Sequence, residues 1–157
     1  MAYATAEDLF EAARNAAEER MRAYRQIEAM DAARGLHGVG MGIYGASPDT
    51  NRTRGTIDLL DYESSVRSRI ESDERLIEYA SRVLRGDDGK GGVESLLSSR
   101  HADAVTWRYL LAKSWKVCEH ALGESDRTLQ RLCFETFDMI DAVGFDDAIA
   151  GAGLAEG

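Results

Sequence analysis

Proline occurs once in this 157-residue chain, at Pro48, and cysteine twice, at Cys118 and Cys133. Two cysteines on the apolar faces of two predicted helices make no disulfide framework, and buried free thiols in a reducing compartment are the simplest expectation. With scattered histidines they also fall short of a metal-ligand set. The histidines are His37, His101 and His120. None forms HExxH or a nucleophile–base motif, and the Glu-x-x-His of carboxylate-bridged helical metal sites is absent. Long apolar runs are missing too, so nothing approaches the roughly 20 residues a membrane span needs. The first residues, MAYATAEDLFEAARN, carry early acids and no apolar core, unlike a signal peptide. A soluble cytoplasmic protein without cofactor, metal or catalytic role is expected.

Positive charge is also scarce. Lys and Arg total 19 against 28 Asp and Glu, for a formal net charge of −9 and a pI near 4.8. Such a chain repels a polyanion at long range, which opposes non-specific nucleic-acid binding without excluding a local basic site.

What is present is helix. Thr5 is a capping residue with Asp8 three positions on, and Leu9, Ala13, Ala16, Ala23, Ile27 and Met30 recur at helical steps up to Arg34. Gly35 is expected to end this run, and the stretch from Gly35 to Gly55, with Gly38, Gly40, Gly42, Gly45 and Pro48, reads as a long loop. Its GxGxxG-like fragments follow no strand, so a dinucleotide site is not indicated. A second long helix is predicted over 58–85, with Leu59, Tyr62, Val66, Ile70, Ile77, Ala80 and Leu84 on one side. Asp73 interrupts the stripe. Glu71–Arg75 and Glu78–Arg82 are spaced for pairing. GDDGKGG, 86–92, reads as a linker. The expected fold is all-α: a long antiparallel helical hairpin (1–85), a site for homodimerisation, then a C-terminal helix-turn-helix module (93–143) and an acidic flexible tail (144–157), where Phe145 and Ile149 are placed to dock as a short turn.

Chemistry concentrates between Ser114 and Ile140. Ser114 caps a short helix ending at Leu122, with Trp115, Cys118, Ala121 and Leu122 expected inward. Gly123 supplies the left-handed turn, and Ser125 caps a longer helix whose core side is Leu129, Leu132, Cys133, Thr136, Phe137 and Ile140. The opposite face of that helix begins with Arg127, Thr128, Gln130 and Arg131, residue types that bond base edges or phosphates, and its N-terminus offers backbone donors to a phosphate. Lys113 and Lys116, on the turn before the first helix, are placed to grip the backbone. Two helices joined this way match a helix-turn-helix reader of double-stranded DNA. From Val93 to Val143 six basic residues face eight acidic ones, and Glu124 and Asp126 flank the reading surface. Binding should therefore be salt-sensitive and rest on few contacts, which favours a dimer or a protein partner such as RNA polymerase.

The stretch WRYLLAKSWKVCEHALGESDRTLQRLCFETFDMID, Trp107 to Asp141, resembles the sigma-70 region 4-like domains of phage-encoded ArpU/RinA-like late transcription regulators. The pairs Arg108–Tyr109 and Ser114–Trp115, then Val117, Leu122–Gly123, Ser125, Thr128, Leu129 and Arg131, carry the likeness; Cys118, Glu119 and His120 depart from it. A long helix, a glycine-containing segment with Ser47–Pro48 and a second long helix repeat the group's layout upstream. The resemblance implies transcriptional control of phage or prophage type, with Arg127, Thr128 and Arg131 on DNA. The competing expectation is a non-enzymatic helical protein-protein interaction or adaptor protein without DNA binding, drawn from the two apolar stripes and the acidic surface.

Overall fold

A computed structural model describes residues 3–44 and 50–152, with side chains except over 35–58. Among the described residues there is no strand. Seven α-helices follow in order: α1 (Ala6–Tyr44), α2 (Thr50–Arg85), α3 (Gly92–Leu96), α4 (Ser99–Val105), α5 (Trp115–Leu122), α6 (Asp126–Val143) and α7 (Phe145–Ala150). A 3₁₀ turn occupies Asp87–Gly89 and a π-helical turn Thr106–Leu110. Thr5 starts α1 as expected, its Oγ1 accepting from the Asp8 N–H at 3.2 Å. From α6, the Asp141 carboxylate accepts from the Ala6 N–H at 2.7 Å.

The loop expected over 35–55 is mostly helix, since α1 continues to Tyr44 and α2 already begins at Thr50. A helix once nucleated gains a hydrogen bond per added residue, and glycine opposes this by only about 1 kcal/mol relative to alanine. Gly38, Gly40 and Gly42 therefore lie along a helix, not on a phosphate-cradling turn, while Gly45 and Pro48 fall outside the described residues.

By packing, the chain divides into two compact units. One is Glu19–Asp73; the other joins Met1–Glu18 to Glu74–Gly157. In the first, Ala23, Ile27 and Met30 of α1 form one apolar cluster with Val66 and Ile70 of α2, and Leu59 packs on it. Tyr62, expected on that stripe, is instead exposed, and Glu63 takes the inward position. Arginine makes this tolerable: Glu63 pairs with Arg34 and, at 2.9 Å, with Arg67. A buried carboxylate persists only when paired and hydrogen-bonded.

Asp73 lacks that arrangement. Its Oδ2 is buried and accepts no hydrogen bond from the described residues. Burial, then the neighbouring Glu19 carboxylate, raise its pKa above the ordinary 3.8, opposed by Arg20, Arg69 and Arg22. A carboxyl whose folded pKa exceeds its unfolded one destabilises the fold while charged. Stability contributed here should rise as pH falls through the raised value towards 3.8. Asp73→Asn is expected to raise the neutral-pH melting temperature and to remove this part of the pH profile, measured as the wild-type minus variant difference in thermal unfolding. Equal profiles would contradict it.

In the second unit one core gathers Ala6, Leu9, Phe10 and Ala13 of α1, Ala80, Val83 and Leu84 of α2, and inward residues of α3 to α7. Phe10 stacks on Phe137 with ring centroids 5.6 Å apart, and Tyr109 meets both rings edge-on at 6.3 and 5.4 Å. Both cysteines are free and buried here. Burial pushes the Cys133 thiol up to about 12 and raises that of Cys118, so both stay protonated and act as small apolar groups.

The stretch 86–92, composed like a linker, is a close-packed corner. Gly92 has φ +70°, and a Cβ there would lie 2.4 Å from the Leu84 carbonyl carbon and 2.5 Å from the Arg85 nitrogen. An L-residue faces backbone on one side and left-handed strain on the other. Gly92→Ala is expected to cost at least about 2 kcal/mol in urea unfolding; a change near zero would show that the corner yields. Across this corner Arg82 pairs with Asp87 at 2.7 Å, and Arg85 with Asp103 at 2.8 Å. The tail expected to be flexible from 144 instead forms α7, with Ala148 and Ile149 buried and Phe145 against Tyr79 at 6.4 Å. Residues 153–157 lie outside the described range.

Candidate nucleic-acid interface

The turn before α5 is held from behind by two arginines. Arg14 donates to the Arg108 carbonyl and, at 3.2 Å, to that of Lys113; Arg108 also donates to the Lys113 carbonyl at 3.2 Å. The Arg108 guanidinium lies 4.4 Å from the centroid of the Trp115 ring, a cation–π contact. The backbone between these groups passes through Ala112 at φ 54°. Arg108, Tyr109, Ser114 and Trp115 thus do structural work: clamp, core ring, cap and stacked ring.

Local signals place α5 and α6 where the residues suggest. Ser114 accepts from the Val117 N–H, Gly123 is left-handed at φ 68°, and Ser125 accepts from the Thr128 N–H at 3.2 Å. Leu129, Leu132, Cys133, Thr136, Phe137 and Ile140 are buried. Ala121 is exposed, contrary to expectation. In an eight-residue helix the inward arc is filled by Cys118, with Trp115 and Leu122 beside it.

The seven candidate DNA-contacting residues fall into three groups. Lys113, Lys116 and Arg127 are exposed, and none has an ion-pair partner among the described residues. Lys113 precedes α5, whereas Lys116 lies on its first turn. Arg131 is exposed and reaches Glu135 at 3.5 Å. Ser125, Thr128 and Gln130 are engaged internally. The Ser125 hydroxyl donates to Thr128 Oγ1 at 2.9 Å, and the Gln130 amide donates to Asp126 at 2.6 Å.

Three carboxylates shape this face. Glu119 of α5 accepts from the Asp126 N–H at 2.5 Å, taking one of the unpaired donors at the α6 N-terminus. The anion-binding role expected of that N-terminus is already served by a side chain of the protein itself. Asp126 holds Gln130. Glu135 is shared between Arg131 and the His101 Nε2, the latter at 2.7 Å, and the hydrogen bond from His101 holds its carboxyl below the usual range. His101 is fixed on its other side by the Ser98 hydroxyl at 2.6 Å. Helical i,i+4 spacing covers Asp126–Gln130 and Arg131–Glu135, but it misses Glu119, which acts across the Gly123 turn, and His101, which reaches Glu135 from α4.

Trp107, Lys116, Val117, Glu119, His120 and Ala121 line an open groove of about 730 Å³ beside α5. No three His, Cys, Asp or Glu side chains among the described residues converge as a metal site, and no described helix is long and apolar enough to cross a membrane. No family model, curated protein or solved structure matches the chain.

Proposed function

We propose that this chain is a DNA-binding transcriptional regulator of phage or prophage type, in which α1 and α2 pair as an antiparallel hairpin and α5 and α6 act as a helix-turn-helix with α6 in the major groove. The observation that carries the reading is the outward face of α6. Leu129 is buried while Arg127 and Arg131, one helical turn apart, point to solvent, Arg127 with no ion pair among the described residues. That is the disposition a groove-reading helix needs: core on one side, base-bonding guanidinium groups on the other. Lys113 and Lys116 beside the capped turn supply phosphate contacts. The resemblance of Trp107–Asp141 to sigma-70 region 4-like regulators supports the same reading, with RNA polymerase as a protein partner.

The α6 N-terminus is closed by Glu119, so affinity falls to a few side chains, and a homodimer doubles them. Leu60 and Tyr62 of α2 are exposed apolar surface for such a contact. Fluorescence anisotropy with operator-sized duplexes across a salt series tests the proposal. With Lys113 and Lys116 as the two phosphate contacts per subunit, log affinity should fall against log salt with a slope of about −2, or about −4 for a dimer. Absence of salt-dependent binding overturns it. The second reading, a helical interaction protein without DNA binding, is favoured by Gln130 and Arg131 being engaged by carboxylates. It predicts no DNA affinity at any salt concentration.

A further inference from the structure

We propose that Phe134 is a base-specificity residue, seated to contact the methyl group of a thymine in the major groove. The proposal rests on the assignment of α6 as the reading helix and names a base which that helix selects. Phe134 is 56% exposed, the most exposed of the large apolar residues described. The aromatic position of the core is already filled one turn later by Phe137, which stacks on Phe10. Phe134 therefore does no packing work that explains a bare phenyl ring on this helix.

Its position does explain it. At about 100° per residue, Arg127, Arg131 and Phe134 fall within an arc of about 60° on the outward face. At about 1.5 Å per residue, Phe134 lies about 4.5 Å beyond Arg131 along the axis, close to the 3.4 Å spacing of base pairs. Two cationic side chains bring this face to DNA, and the apolar ring is next in line. Among major-groove edges only thymine presents an apolar group, its C5 methyl, and phenylalanine is one of the side chains that meet it. One turn further, Asp138 is exposed on the same arc and opposes phosphate, so Phe134 is the last residue of α6 able to enter. The expected site has a thymine one step from the base bonded by Arg131.

The full chain is used to select binding sites from a random-sequence duplex pool. Each thymine of the selected site is then replaced singly by deoxyuridine, which removes the methyl group and leaves base pairing intact. Wild type should lose about three- to fivefold in affinity at one such position, the size expected for one buried methyl. Phe134→Ala should bind the two duplexes equally, Phe134→Leu should keep part of the difference, and Arg127→Ala should lose affinity yet keep the discrimination. Circular dichroism checks that the variants fold. Equal wild-type binding to every substituted site, or discrimination surviving in Phe134→Ala, overturns the proposal while leaving α6 as reader. Failure to bind any duplex overturns both. Light scattering that shows a dimer dissociated by Phe134→Ala assigns the face to a second copy, and also overturns it.

Discussion

Phe10→Ala is expected to destabilise the protein by about 3–5 kcal/mol, the usual cost of truncating a buried phenylalanine. Phe10 is fully buried in α1, yet its ring partners are Phe137 of α6 and Tyr109 of the π-helical turn. Removing it leaves a cavity between elements that the chain brings together from opposite ends. Stacked and edge-on ring geometry adds about 0.5–1.5 kcal/mol beyond area burial, so the upper part of that range is expected. Leu9 and Ala13 line the same cluster, and Asp141 reaches back to the Ala6 N–H. The C-terminal helices therefore do not complete their own core. A fragment of residues 93–143, which reads as an independent module by composition, should show little cooperative unfolding alone, whereas the full chain should unfold in one transition for this unit. Urea titration followed by circular dichroism measures both. A loss below about 1 kcal/mol for Phe10→Ala, or a stably folded fragment, would contradict the shared core.

What was legible in the residues was local. Ser114, Gly123 and Ser125 mark the ends of α5 and α6 because caps and left-handed glycines act within four residues of themselves. The buried stripe from Leu129 to Ile140 follows the helical period without interruption, and the stripe from Leu9 to Met30 follows it with one gap at Arg20. What was hidden depends on distant partners. Glu63 sits inward where Tyr62 was expected because Arg34, 29 residues away, compensates its charge. The corner at 86–92 is built from the residues of a flexible linker; only the approach of the Leu84 and Ile149 backbones distinguishes close packing from freedom. Gly35 has the composition of a helix end, yet a continuing ladder outweighs a single poor helix former.

The candidate interface divides along the same line. Exposure of Arg127 and Arg131 follows from their period relative to Leu129, so their placement was readable. Gln130 lies i,i+4 from Asp126, a spacing the sequence also offers, whereas the engagement of the α6 N-terminus by Glu119, across the Gly123 turn, was not readable. Those contacts come from Asp126 and Glu119, acidic residues that by count alone look like general repulsion. Their specific positions change the expected binding chemistry. Under the proposed reading, the helix terminus is no longer free for a phosphate, Gln130 is no longer free for a base, and the two arginines are left as the base-bonding groups.

Replacing Arg127 and Arg131 together by alanine is accordingly expected to lower duplex affinity by about 100-fold or more, since each base-bonding arginine contributes about 1–3 kcal/mol. Both side chains point to solvent and neither supports the core, so thermal unfolding should move little. Removing Arg131 alone deprives Glu135 of one cation, but His101 still holds that carboxylate at 2.7 Å, and α6 should keep its seat on α4. The two lysines should behave differently. Lys113→Ala with Lys116→Ala should weaken all duplexes alike and flatten the salt slope by about 2, as loss of phosphate contacts does, whereas the arginine pair should also erase preference at the base positions the arginines bond. Anisotropy titrations on selected and scrambled duplexes at two salt concentrations separate these outcomes. Wild-type affinity and preference in the folded arginine variant would mean that α6 does not read DNA through this face. A variant that loses affinity equally for every duplex, with its preference intact, would move both arginines from base edges to the phosphate backbone.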